Sequence, residues 1–259
     1  ELFDANFPAD FISEAVDQTR GWFYTLLAVS TLLFDKSSFK NCIVLGHVQD
    51  KDGQKMSKHK GNVVDPWDAL NKQGADAVRW YFYANSAPWL PSRYYEEAVN
   101  EMQRKYMGTL WNTYAFYVLY AEIDQFNPTK YKLEYDKLSA MDKWILSKVN
   151  TLAKDVEENM EGYELGIAAQ KVHDFLWDEY CDWYIEMVKP RLYNKEDDTR
   201  VAALWTLKTV LITALKLLHP FMPFITEELF QHIQNEEESI MISEWPELNP
   251  EWVFTENEK

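Results

Sequence analysis

Four consecutive residues, Lys55-Met56-Ser57-Lys58, carry the most pointed chemistry in the chain. Two lysines three positions apart, with a small hydroxyl between them, present two ammonium groups to one polyphosphate. A cation aimed at charge developing on a transferring phosphate is a common source of rate enhancement. The competing reading of any Lys-x-x-Lys is a solvated basic turn. A second group lies upstream: Glu14, Asp17 and Gln18, two carboxylates and an amide, close a short run that begins after Pro8. Read as a strand, that run places them at its C-terminal end, where open α/β sheets bind ligands. Asp17 can equally serve as the N-cap of the following helix. Trp22 is either a flat apolar wall or a packed core residue. Gly46 reads as a turn glycine, and His47 beside it is assigned no chemistry.

The elements that must position these residues begin as α/β. Ala9 to Val16 reads as a short strand. Gln18 to Phe34 reads as a mostly buried helix, from the spacing of Trp22, Phe23, Leu26, Leu27, Val29, Ser30 and Leu33. Cys42-Ile43-Val44-Leu45 reads as a buried strand of a parallel sheet. Asp50 to Asn62 is a loop, opening on the tight turn Asp50-Lys51-Asp52-Gly53 and closed by Gly61. Asp65-Pro66 starts a helix, with Asp as N-cap and Pro at the first helical position; Gly74 separates it from the next, near Asp76.

From about Glu96 the pattern is helical throughout, with runs over 96–123, 139–160, 164–190 and 198–218 and a short helix from Thr226 to Ile233. One face of the second run carries Met141, Trp144, Ile145, Val149, Leu152 and Val156. The third carries Ala168, Val172, Phe175, Leu176, Tyr180, Trp183 and Met187, and the fourth Leu204, Leu207, Leu211, Ala214 and Leu218. Spacings of three and four imply an antiparallel bundle. Asn127-Pro128 and Pro190 are read as helix breaks or ends, and Ser239 to Ser243 as an extended tail pinned by Trp245.

Composition bounds the rest. The 259 residues are 47% apolar, with 11 Trp, 15 Tyr and 14 Phe, enough for a substantial packed core. Cys42 and Cys181 have no metal-ligand spacing and read as buried reduced thiols, as expected of a cytoplasmic protein. No metal site, signal peptide or uncharged stretch of membrane-spanning length is found. The first residue is Glu1, as in a segment of a longer protein or one with a trimmed tag. The formal net charge of −16 argues against nucleic acid as a partner when taken as a sum. A local basic face is compatible with it; Arg104, Lys105, Lys189 and Arg191 are the candidates.

The segment Gly53-Gln54-Lys55-Met56-Ser57-Lys58-His59-Lys60-Gly61-Asn62 resembles the KMSKS signature loop of class I aminoacyl-tRNA synthetases, with His59 in place of the usual Ser. Glu14-Ala15-Val16-Asp17-Gln18-Thr19-Arg20-Gly21-Trp22-Phe23-Tyr24 is similar to the isoleucyl enzymes of that class, with Ala15 where Gly is frequent. Gly74-Ala75-Asp76-Ala77-Val78-Arg79 resembles the helix after the signature loop. Cys181-Asp182-Trp183-Tyr184-Ile185-Glu186 and Leu218-His219-Pro220-Phe221-Met222-Pro223-Phe224 resemble the anticodon-binding helices of the isoleucyl and valyl subgroup.

The resemblance implies the closing half of a Rossmann-like catalytic domain over 1–95, then an all-α anticodon-binding domain over 96–259. It implies ATP with Mg2+ as a substrate, isoleucine and tRNA(Ile) as partners, and a monomer. Lys58 would contact ATP, supported catalytically by Lys55 and Ser57. Gly46 and Met56 would also line the ATP site, with Gly46 letting adenine approach the backbone. Glu14, Asp17, Gln18 and Trp22 would hold the aminoacyl-adenylate: Glu14 at the ribose, Asp17 and Gln18 at polar groups, Trp22 against the branched side chain. The class's other signature, His-Ile-Gly-His, is absent, so the chain alone is expected to be inactive. The alternatives are a valyl-type enzyme and a non-catalytic helical tRNA-binding module. A P-loop enzyme is set aside for want of Gly-x-x-x-x-Gly-Lys-Ser/Thr.

Overall fold

In the computed structural model, residues 2–233 and 236–258 are described. Helix α1 (Leu2–Asn6) leads into strand β1 (Ala9–Ala15), which runs parallel to β2 (Phe39–Leu45), in register from Ala9 opposite Phe39 to Ala15 opposite Leu45. Parallel strands need a crossover, and α2 (Trp22–Phe34) supplies it. The expected single helix from Gln18 is divided: Val16–Arg20 forms a 3-10 turn, and the chain breaks at Gly21, whose φ of −135° and ψ of −112° lie outside the helical region. The expected burial of α2 and β2 is also not observed. Only Phe23 and Ser30 of α2 are buried, while Leu32 and Leu33 are 85% and 68% exposed. No residue of β2 is buried, and Cys42 is exposed. A two-stranded sheet with one crossover helix has too few layers to cover both its faces.

Two short strands complete this first region. β3 (Val48–Gln49) pairs parallel with β4 (Ser92–Arg93). Gly46 N donates to Pro88 O at 2.8 Å, and Tyr94 N to Gln49 O at 2.8 Å. Between them in sequence come α3 (Pro66–Gln73) and α4 (Ala75–Ala84). Asp65 caps α3 as expected, accepting from Trp67 N at 2.8 Å, and Gly74 between the helices takes a φ of +82°. The chain groups into two compact units, 1–68 with 85–96, and 69–84 with 97–259.

The second unit holds the large core. Its helices are α4, α5 (Glu96–Met102), α6 (Gly108–Ile123), α7 (Ala140–Glu161), α8 (Leu165–Asp174), α9 (Glu186–Tyr193), α10 (Arg200–Leu218) and α11 (Pro223–Ile233). α7 starts at a capping box between Ser139 and Asp142; of its expected face Ile145, Val149, Leu152 and Val156 are buried, and Met141 and Trp144 are half-buried against the core. α10 is buried almost all round. By length and composition it could cross a membrane, but 61% of that window is buried among its neighbours, as befits a core helix.

Three expectations fail in this unit, each for a local reason. Between α8 and α9, Phe175–Ile185 is π-helical. Its i→i+5 bonding carries more residues per turn than an α-helix, so the inward stripe shifts from Trp183 and Met187 to Tyr184, Val188 and Leu192, and Trp183 and Met187 are exposed. Pro190 lies inside α9 instead of ending it; buried Val188 and Leu192 on either side hold the helix despite the lost N–H. Ile240–Ile242 is a 3-10 turn, capped by Ser239 accepting from Met241 N at 3.1 Å, and not an extended tail. Trp245 does pack against the core.

Candidate functional site

The Lys55–Lys58 loop follows β3 and folds back on it through a bridge between Gln49 and Lys55. Two side chains outside the Lys-Met-Ser-Lys segment give it shape. Asp50 Oδ1 accepts from Asp52 N at 3.1 Å and Gln54 N at 2.7 Å. Asn62 Oδ1 accepts from Ser57 N at 2.9 Å, while its Nδ2 donates to Asp50 Oδ2 at 2.7 Å and to Lys55 O at 3.3 Å. These bonds, with Asn62 first, hold the Asp50 carboxyl below the usual carboxylate range. Ser57 Oγ accepts from Lys60 N at 3.3 Å, capping the 3-10 turn Lys58–Lys60. Gly61 ends that turn at a φ of +66°, a conformation that favours glycine.

Lys55 and Lys58 are exposed and form no ion pair among the described residues. Met56 and Ser57 are half-buried beneath them. The loop therefore presents two uncompensated cations on a backbone that hydrogen bonds fix, since little apolar packing is available to do so. Asp50 and Asn62 were not singled out from the sequence as site residues. A weak signal was there: both mark the ends of the polar stretch, and both residue types bond their neighbours' backbone readily.

The upstream group lies on β1 and the turn after it. Glu14 and Asp17 are exposed, and Gln18 is half-buried. The N-cap role left open for Asp17 is not taken up: Gly21 is the N-cap of α2, with no side-chain cap bond, and Gln18 Oε1 accepts from Trp22 N at 2.9 Å from the preceding turn. This leaves the Asp17 carboxylate free of that duty and fixes the Gln18 amide over Gly21, where a Cβ would stand 2.6 Å from Gln18 Oε1. Trp22 is 45% exposed, its ring 6.1 Å from that of Phe23, so it is not a core residue here. At Gly46 a Cβ would fall 2.2 Å from Leu90 O and 2.7 Å from Pro91 N. The backbone of 88–91 alone thus demands glycine at that position. The upstream group and the loop belong to the same compact unit on separate elements, and no hydrogen bond joins them among the described residues.

The basic residues considered for RNA are mostly engaged. Lys105 pairs with Glu101 at 2.5 Å and Lys189 with Glu186. Arg191 Nη1 donates to both oxygens of Asp142 at 2.8 Å and to Ser139 Oγ at 3.1 Å. Asp142 is fully buried and also accepts from Tyr184 OH at 2.6 Å. Arg191 is therefore an internal ion-pair partner and not a surface cation.

Residues 1–90 match the family profile of tRNA synthetases class I (I, L, M and V), and residues 142–259 that of the anticodon-binding domain of tRNA ligase. The isoleucine–tRNA ligase of Clostridium acetobutylicum is 55% identical over 96% of the chain. That of Clostridium novyi is 54% identical and that of Cytophaga hutchinsonii 41%, each over 100% of the chain. The chain spans about a quarter of the length of these relatives: 24%, 25% and 24% respectively. Two solved structures share the fold at 19% identity and a TM-score of 0.74. One is LeuRS of Agrobacterium radiobacter K84 in a ternary complex with tRNA and LeuAMS, matched over 95% of this chain and 29% of that one. The other is methionyl-tRNA synthetase of Mycobacterium tuberculosis with methionyl-adenylate, matched over 89% and 45%. A small parallel sheet bearing a Lys-Met-Ser-Lys loop, a helical bundle after it, and full-length likeness to a quarter of these ligases agree: the chain belongs to the class I tRNA synthetases, in their isoleucine–tRNA ligase group.

Proposed function

We propose that the protein carrying this chain activates isoleucine with ATP and transfers it to tRNA(Ile). In the first step a carboxylate oxygen of isoleucine bonds to the α-phosphorus of ATP as the bond to the pyrophosphate oxygen breaks. Negative charge gathers on the departing pyrophosphate, and the Lys58 and Lys55 ammonium groups meet it. Mg2+ would enter with the phosphates as part of the ATP substrate. Ser57 shapes the loop through its cap, and Gly46 and Met56 line the nucleotide side. Glu14, Asp17 and Gln18 hold polar groups of the adenylate, and Trp22 walls the branched side chain. Residues 1–95 serve this chemistry in the cytoplasm, and 96–259 serve tRNA binding.

The observation that carries this reading is the pair of exposed, unpaired lysines on a hydrogen-bonded loop, within a chain 55% identical to an isoleucine–tRNA ligase. The test is a full-length chimera in which this chain replaces the matching quarter of the Clostridium acetobutylicum relative. Isoleucine-dependent ATP–pyrophosphate exchange is expected. Absence of exchange refutes the reading, and exchange stimulated by valine in preference to isoleucine moves it to a valyl-type enzyme.

A further inference from the structure

We propose that Asp50 and Asn62 are positioning residues for adenylate formation, a linked pair that holds Lys55–Lys58 as one preformed body so that both ammonium groups reach the leaving phosphates in register. The proposal rests on the adenylate-forming reading above.

The geometry divides the work between the two side chains. Asp50 organises the first half of the loop through Asp52 N and Gln54 N, and Asn62 the second half through Ser57 N and Lys55 O. The 2.7 Å bond from Asn62 Nδ2 to Asp50 Oδ2 ties the halves together. The amide orientation is fixed by its neighbours: Ser57 N requires an oxygen, and the Asp50 carboxylate requires the NH2 group. Both bonds flank the lysines, since Lys55 O and Ser57 N belong to the four-residue segment itself. Lys55 and Lys58 are exposed, so apolar burial cannot set their place. Without the pair, their backbone would sample many conformations, of which few aim both cations at one pyrophosphate. A misplacement of about 1 Å can cost on the order of 10²-fold in rate.

The test uses the full-length chimera with four variants: Asn62→Ala, Asn62→Asp, Asp50→Asn, and the exchanged pair Asp50→Asn/Asn62→Asp. Asn62→Ala is expected to lower kcat for pyrophosphate exchange by about 10- to 100-fold. Isoleucine affinity, and the rate of transfer from preformed isoleucyl-adenylate to tRNA, should stay near wild type. Asn62→Asp should be worse than Asn62→Ala, because it sets two carboxylates face to face. The exchanged pair should recover most of the loss. Its amide at position 50 can donate to the carboxylate at position 62, which still accepts from Ser57 N; only the bond to Lys55 O is given up.

Asn62→Ala at the wild-type rate, or an exchanged pair no better than Asn62→Asp, would overturn the proposal. So would equal losses in kcat and in isoleucine affinity, which mark a general structural defect. Thermal melts of each variant separate misfolding from mispositioning, and the isosteric Asp50→Asn gives a second route if Asn62→Ala fails to fold. An unsubstituted chimera without exchange would sink the underlying reading together with this proposal. Exchange that the variants leave untouched would sink this proposal alone.

Discussion

Lys58 has no ion-pair partner to lose among the described residues, so its removal should leave the folded ground state nearly unchanged. In the full-length chimera, Lys58→Ala is expected to slow adenylate formation by on the order of 10² to 10³, as for other donors that act on developing charge. Isoleucine affinity should hold. Pre-steady-state pyrophosphate release against equilibrium isoleucine binding checks this, and equal losses in both would remove Lys58 from the proposed role. The two thiols make a second contrast. Cys42 is exposed, whereas burial pushes Cys181 up to about 11 while Thr113 Oγ1 lies 2.9 Å from its sulfur. At pH 8, a thiol-specific disulfide reagent should label Cys42 in the native chain and Cys181 only on unfolding. Fast labelling of both would show that the bundle opens around Cys181. At this scale legibility follows distance in sequence. The Asp65 cap and the Lys-Met-Ser-Lys segment are local and could be read. The bond from Asn62 back to Asp50 spans twelve positions, and residue type gives only a weak hint of it. Nor could the sequence decide whether Asp17 caps α2, because the helix start depends on the break at Gly21.

The helices show how periodicity succeeds and where it stops. α7 and α10 bury the faces that spacings of three and four select. The same arithmetic fails after Tyr180, because a π-helical stretch changes the number of residues per turn while leaving composition untouched. The inward residues there, Tyr180, Tyr184, Val188 and Leu192, recur every four positions. The ion pair Asp142–Arg191 joins the start of α7 to α9, and its burial makes it sensitive to one-sided change. Arg191→Ala leaves an uncompensated carboxylate in the core and should cost roughly 3–5 kcal/mol. Adding Asp142→Asn should return part of that loss. Urea melts of the two variants measure the difference, and a near-neutral Arg191→Ala would mean that water reaches Asp142.

The chain combines a unit with few buried side chains and a unit with many. Most of the buried side chains belong to the bundle, while few in the unit of 1–68 with 85–96 are. Chains of this kind do not melt as one cooperative block. Calorimetry is expected to show a smaller transition at low temperature, with loss of the sheet, before the main transition of the bundle. A single two-state transition would contradict this. The fold class was legible here because hydrophobic period changes sharply near Glu96. The exposure of α2 was not, because a helical stripe states that a face needs a cover without saying what supplies it.

That uncovered stripe bears on how the chain behaves in a tube. Its partners would be other copies of itself, held apart at low ionic strength by a net charge of −16. Added salt shortens the reach of that repulsion to about 10 Å at 0.1 M, and leaves the attraction between Leu32, Leu33 and their equivalents in place. Light scattering should therefore rise with sodium chloride, opposite in sign to any tRNA contact, which salt weakens. Replacing Leu32 and Leu33 with Gln should abolish the rise, and scattering that stays flat for the unmodified chain would show that the stripe is not adhesive. A salt-driven rise would make the colloidal window for handling this chain narrow: fresh, dilute and low in salt.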